Sequence, residues 1–427
     1  MRTPRLVATG AVAGLFALTL SACSGGSGGG SGAGTAADPV TLSFYNDKSG
    51  WTDSFKAENK TSVKRGMKLK VVQTPGTDAS AYDSFVTQAF RTNEKPDLFT
   101  WHTGSQLGDL VKQNMVAETT DLWTEAESKG LVPKGLKDNY TFDGKQYCVP
   151  LNVSYWSVYY NKKVFADNGL KPPKTFADMT HAAEVLKKAG VTPFFQMNTV
   201  FEFVWFQNML AAGDPDAYAG LATGKTKFTD PAVVKATKQW MKMEHEGYFL
   251  DAGVRSDPQA LLASGKVAMA SMGSFFTGQL TALGKKPEKD FGEFAFPNVS
   301  PSAGKNQMIL ETGPLCVTKG AANEKAALDY SKWWLTDEAQ KAWTANRGDV
   351  SFNPHVKVPD AGMAALVDAT GKNEFRVQQR FQEMVPYSVY TRSKEVFGEL
   401  VSKPPADPTP ALEALQKEAD AYWSKHK

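Results

Sequence analysis

Apolar and polar positions change period repeatedly along this chain, and the changes mark its elements. Val40 to Tyr45 alternates apolar and polar residues, and so does Met67 to Gln73. A period of two is that of a half-buried strand. Between them a helical stretch runs from about Trp51 to Asn59. In Ala79 to Arg91, the residues Tyr82, Phe85, Val86 and Phe90 fall at helical spacing, and Pro96 to Trp101 then reads as a buried strand. This βαβαβ order predicts an α/β fold with a parallel sheet covered by helices. Phe142-Asp143-Gly144-Lys145 predicts a hairpin turn, followed by a β-rich run from Tyr147 to Tyr160.

The second half shows clear helix boundaries. Thr175 and Asp178 form a capping box, Gly190 closes that helix, and Phe176, Met179, Ala183 and Leu186 form its inner face. Asp230-Pro231 starts another helix, with Pro at the first helical position. Gly265–Met272 and Met308–Val317 read as strands. Helices follow from Ala322 to Ala345, and a final one from Thr409-Pro410 to about Trp423. No internal repeat is visible.

The N-terminus has a different character. Arg2 and Arg5 precede a short apolar run, Leu6 to Leu20, and small residues end it. A span of a bilayer takes ~20 apolar residues, so this run predicts an export signal instead. Leu20-Ser21-Ala22-Cys23 resembles the lipobox of bacterial lipoproteins, in which the Cys is lipidated. The expected division is a signal peptide over 1–22 and a lipidated, flexible Gly/Ser linker over 23–38. The chain would then be exported and tethered through Cys23 to the outer face of the cell membrane.

Composition narrows the function. Loss of Arg2 and Arg5 lowers the formal net charge from +3 to about +1. That near-neutral balance gives no reason to expect nucleic acid as a partner. His and Cys are too few and dispersed for a metal cluster, and no cofactor is expected. Ten Trp in an exported chain suit a carbohydrate ligand, because sugar C–H faces stack on aromatic rings.

Several stretches together resemble the extracellular solute-binding proteins of carbohydrate ABC importers, the group that includes the maltose-binding protein. They are Lys95–Trp101; Asp143–Pro150 with Tyr159–Lys162; Pro173–Asp178; Gly265–Met269 followed by Gly273; Asn323–Ala327; and Leu335–Gln340. Each motif alone is weak, and it is their order that carries the resemblance, which extends from about Pro39 to Trp423. It implies a two-lobed periplasmic-binding-protein-like fold, with lobes built from discontinuous segments, hinge strands and a ligand cleft between the lobes. The N-terminal lobe is expected over 39–151 plus 314–348, and the C-terminal lobe over 152–313 plus 349–427. The expected partners are a small sugar, the membrane permease subunits of an importer and, through the lipid, the membrane. A monomer is expected. By the same resemblance, Cys148 and Cys316 lie on neighbouring crossing strands, where a disulfide would brace the hinge.

Candidate ligand contacts sit at strand ends and crossings, since open α/β sheets bind ligands beyond the carboxyl ends of their strands. Asn46 and Asp47 follow the first strand, with an Asx turn as the competing role. Trp51 and Trp101 are either stacking surfaces or core. Tyr155 and Trp156 alternate faces, so about one of the two should meet the ligand. Glu202 and Trp205 are three apart, as on one helical face. Gly273, Ser274 and Phe275 follow a strand. By the resemblance, Phe275 is the stacking ring. Glu311 sits at the return crossing, as a ligand contact or a hinge salt bridge, and Asp349 follows Arg347.

Catalytic patterns do not stand. Gly25–Gly29 matches a nucleophile elbow but lies in the linker. Gly224-Lys225-Thr226 ends a relaxed P-loop pattern that follows no apolar strand. A secreted glycoside hydrolase is the competing enzyme reading, since it too would show Trp and paired acids. Within the binding proteins, a peptide, a polyamine or a glycerol phosphate competes with a sugar as the ligand. A polyamine or phosphate would need clustered acids or arginines, and neither cluster is evident along the chain.

Overall fold

The structure, a computed structural model, describes residues 38–75, 79–92 and 94–426. The expected signal, Cys23 and most of the linker lie outside the described residues. Among the described residues, no helix is long and apolar enough to cross a membrane.

The alternating stretches become strands: β1 (Val40–Tyr45), β2 (Met67–Val72) and β3 (Leu98–Thr100). The hairpin is β4 (Thr141–Phe142) and β5 (Lys145–Gln146), turned through Asp143 and Gly144, both at positive φ. The β-rich run is one strand, β6 (Val149–Asn161), buried along its whole length. Then come β7 (Thr192–Phe194), β8 (Val267–Met272), β9 (Phe291–Phe294), β10 (Gln307–Val317) and β11 (Arg376–Gln379).

The main sheet runs β2-β1-β3-β10-β6-β8-β7, with β11 on β10 and β9 on β6. β1 is parallel to β2 and β3, as the βαβαβ pattern predicts. The long strands β6 and β10 pair antiparallel from Ile309–Trp156 to Leu315–Val149, with a register shift between Gly313 and Pro314. They tie the first part of the sheet to the second. On β6, Tyr155 packs into the cluster that contains Phe44, Phe55 and Trp343, whereas Trp156 packs into the one that contains Phe206, Trp240 and Phe397. Period-two alternation thus sends neighbouring aromatics to two different cores.

Cys148 and Cys316 are joined, with Sγ–Sγ 2.02 Å, at the β6 and β10 ends that lie beside β3. Cys148 sits at φ +62°, just ahead of β6. The Thr175–Asp178 capping box forms as read, with both reciprocal bonds present. The stretch from Ala322 to Ala345 is two helices, Glu324–Trp334 and Asp337–Arg347, separated where Thr336 caps the second.

Candidate ligand site

The site is built where the carboxyl ends of β1 and β3 face the middle of β6 and β10. After β1, the Asn46 side chain accepts from the Lys48 amide at 3.0 Å and donates to the Lys48 carbonyl at 2.8 Å. Asn46 is therefore engaged in an Asx turn. The turn presents Asp47, which accepts from the Thr100 hydroxyl at 2.7 Å and pairs with Lys48 Nζ at 3.1 Å. Burial pushes Asp47 up, but Lys48, the Thr100 hydroxyl and His102 together hold its carboxyl below the usual range. Trp51 lies with its ring 4.5 Å from the Arg347 guanidinium and 5.3 Å from Lys48 Nζ, a cation–π arrangement. Its other neighbours are Phe55 and Trp343.

The opposite wall is aromatic. Trp156 meets Phe201 at 5.4 Å and Phe275 at 6.0 Å, both edge-to-face, while Phe201 and Phe275 stack at 6.2 Å. Phe201 and Phe275 are half-buried. Gly273 is required beside them, because a Cβ there would sit 2.6 Å from the Phe275 ring and 3.1 Å from Ser154 Cβ. Phe201 is held by a tight turn: its amide donates to the Thr199 carbonyl at 2.8 Å around Val200, at φ +71°. A β-branched residue in that region is strained.

Between these walls runs a seam of buried charge. Glu311 Oε2 accepts from the Trp156 indole at 3.2 Å and from Arg380 Nη1 at 2.9 Å, while Arg380 Nη2 binds Glu383 at 2.8 Å. Burial pushes Glu383 up to about 7 despite Arg380. Asp349 accepts from the Val350 amide and the Ser274 hydroxyl, and burial pushes it up to about 7. Several buried polar atoms here have no hydrogen-bond partner among the described residues: both oxygens of Asp83 and Glu202, the Asn152 amide, the Ser154 hydroxyl, Asp349 Oδ2 and Arg380 Nε. Buried polar atoms are almost always paired, so a run of unpaired ones marks a surface made to receive a polar molecule.

The sequence candidates divide accordingly. Asp47, Trp51, Trp156, Glu202, Ser274, Phe275, Glu311 and Asp349 line or border this region, with Gly273 beneath it. Trp101 and Trp205 do not: each is core, its indole hydrogen donated to the carbonyl of Gln106 and of Phe195, respectively. Tyr155 is buried in the first core, where burial pushes its phenol up to about 12. Glu202 and Trp205 share no helix face, because the helix is Val204–Gly213 and Glu202 precedes it in a turn. The expectation that no acids cluster is also overturned: Asp83, Glu202, Glu311 and Glu383 gather from distant segments around Arg380 and Tyr390.

Arg380, Glu383, Tyr390 and Asp83 are not legible as site residues in the sequence. Arg380 follows β11, whose residues Arg-Val-Gln-Gln carry no apolar alternation. The clue available is position: a polar strand bounded by helical stretches after the return crossing.

Residues 51–369 match the family described as bacterial extracellular solute-binding protein. The chain is 28% identical over 352 residues to an uncharacterised ABC transporter extracellular-binding protein of Pyrococcus horikoshii, covering 79% of this chain and 77% of the relative. It is 26% identical over 361 residues to the diacetylchitobiose binding protein DasA of Streptomyces coelicolor, covering 78% of each. Among solved structures, a chitin oligosaccharide binding protein superposes with a TM-score of 0.75 at 22% identity, over 90% of this chain and 100% of that one. A raffinose complex of a solute-binding protein gives 0.71 at 18% identity, over 90% and 99%. The α/β fold is that of the two-lobed solute-binding proteins, a family of binding proteins rather than enzymes, and the chain belongs to the bacterial extracellular solute-binding protein family.

Proposed function

We propose that this protein captures a carbohydrate outside the cell and delivers it to the permease of an ABC importer. The observation that carries this is the Trp156–Phe201–Phe275 aromatic wall facing buried polar groups without partners. Flat rings suit sugar C–H faces, and the polar atoms suit hydroxyls. The names of the relatives agree, since they include diacetylchitobiose and multiple-sugar binding proteins.

The lobes are 39–151 plus 314–348 and 152–313 plus 349–427, hinged at β6 and β10. Helix Ser105–Lys112 already touches the segment after β11, where Gln106 Nε2 donates to the Gln382 carbonyl at 2.9 Å. Gln379 Nε2, at the end of β11, donates to the Thr103 hydroxyl at 2.7 Å. Such contacts suit a hinge closure around the ligand. A lipid on Cys23 keeps a monomeric binder concentrated at the membrane, beside its permease. No catalysis is assigned: Glu311 and Glu383 share one guanidinium, which suits neither to the separate acid and base roles of a glycosidase.

The test is calorimetry and thermal shift with mono-, di- and oligosaccharides, with product analysis alongside. Saturable binding without product is expected. Turnover, or binding of peptides alone, would overturn the reading.

A further inference from the structure

Asp83 and Glu202 come from distant parts of the chain to the same tyrosine. Asp83 lies on the helix Ala79–Ala89, and Glu202 in the turn ahead of Val204. They are 7% and 2% exposed. None of their four carboxylate oxygens has a hydrogen-bond partner among the described residues. Both charges act on the phenol of Tyr390 and help push it up. The nearby cations do not neutralise them. Arg380 is engaged by Glu311 and Glu383. His102 Nε2 stands 3.7 Å from Asp83, beyond hydrogen-bond reach. Lys394 acts on Glu202 only from a distance, as the weakest of the influences on it.

Four buried carboxylates thus face one guanidinium. A buried charge is strongly unfavourable unless paired. A sugar hydroxyl offers one hydrogen bond and no charge, whereas a protonated amine offers three N–H donors and the missing positive charge. Charge-assisted bonds of that kind are about twice as strong as neutral ones. We propose that Asp83 and Glu202 form a subsite for a protonated amino group on the ligand, so that the captured solute is an amino sugar rather than a neutral one. This rests on the carbohydrate reading above and narrows it.

The test is a matched ligand series on the unaltered protein at neutral pH. Neutral mono- and disaccharides are each compared by calorimetry with their 2-amino and 2-acetamido counterparts, and spermidine serves as a cation without a sugar. The amino member is expected to bind at least ~10-fold more tightly than its counterparts, because the others leave buried charge unpaired. Asp83→Asn and Glu202→Gln should bring the series to parity while leaving ligand-free thermal stability equal or higher. Equal or tighter binding of the neutral or acetamido members overturns the amine subsite and leaves the carbohydrate reading intact. Binding of spermidine with no sugar overturns the carbohydrate reading and supports the subsite. No binding by any probe overturns both. The ligand series decides even where a variant does not fold.

Discussion

One carboxylate oxygen, Glu311 Oε2, takes both the Trp156 indole hydrogen at 3.2 Å and Arg380 Nη1 at 2.9 Å. The two crossing strands are thereby locked to each other and to the end of β11 at one point. An aromatic of the ligand wall takes its orientation from a charge network and not from packing alone.

That network predicts the effect of removing its cation. Arg380→Met leaves Glu311 and Glu383 buried without a partner. Breaking a buried pair this way costs ~3–5 kcal/mol. Urea unfolding at neutral pH should show that loss, with partial recovery in acid as the carboxylates take up protons. Unchanged stability would mean that the carboxylates are not held by Arg380.

Phe275 stacks on Phe201 and meets Trp156 at the wall. Aromatic contacts of this kind contribute ~0.5–1.5 kcal/mol beyond area burial, or about 2- to 12-fold in affinity. Phe275→Ala should weaken sugar binding at least that much, with the circular dichroism spectrum retained. Calorimetry with any sugar that binds the parent checks it, and equal affinity would remove Phe275 from the ligand surface.

The Cys148–Cys316 bridge closes a loop of 168 residues in sequence separation. Constraining the unfolded chain in this way contributes ~2–5 kcal/mol in proteins of this kind. The double variant Cys148→Ser/Cys316→Ser should unfold at correspondingly lower denaturant. Intact mass with and without reductant should differ by two hydrogens, and two free thiols in the exported protein would rule the bridge out.

Glu293 on β9 is pushed up to about 9, first by burial and then by the neighbouring charge of Asp360, which caps the helix Ala361–Gly371. A carboxyl whose folded pKa lies above its unfolded value holds its proton longer when folded. Its contribution is therefore present at low pH and is lost as pH rises from about 4.5 toward 9. Asp349 and Glu383 act in the same direction below about 7. The difference between parent and Glu293→Gln should isolate the Glu293 share: the variant's stability should decline less steeply across that interval. Parallel profiles would show that Glu293 does not titrate in this way.

Local pattern carries a good deal of this protein. Val40–Tyr45 forms as its alternation predicts, and the Thr175–Asp178 capping box is complete, because periodicity and caps act within a few residues. Helix Val204–Gly213 shows the limit of that logic. Its apolar residues run on all sides, so periodicity does not locate its first turn, and Glu202 reads as part of a helix that begins after it.

By itself the sequence determined the order of strands and helices, the two long crossing strands and the family. Those rest on hydrophobic period and on short motifs, which are properties of neighbouring residues. Only the tertiary structure decided that Tyr155 and Trp156 enter different cores, that Trp101 and Trp205 are core, and that Asp83, Glu202, Glu311 and Glu383 converge around Arg380. Burial and charge pairing depend on residues up to hundreds of positions apart, and a one-dimensional pattern holds no record of which of them meet.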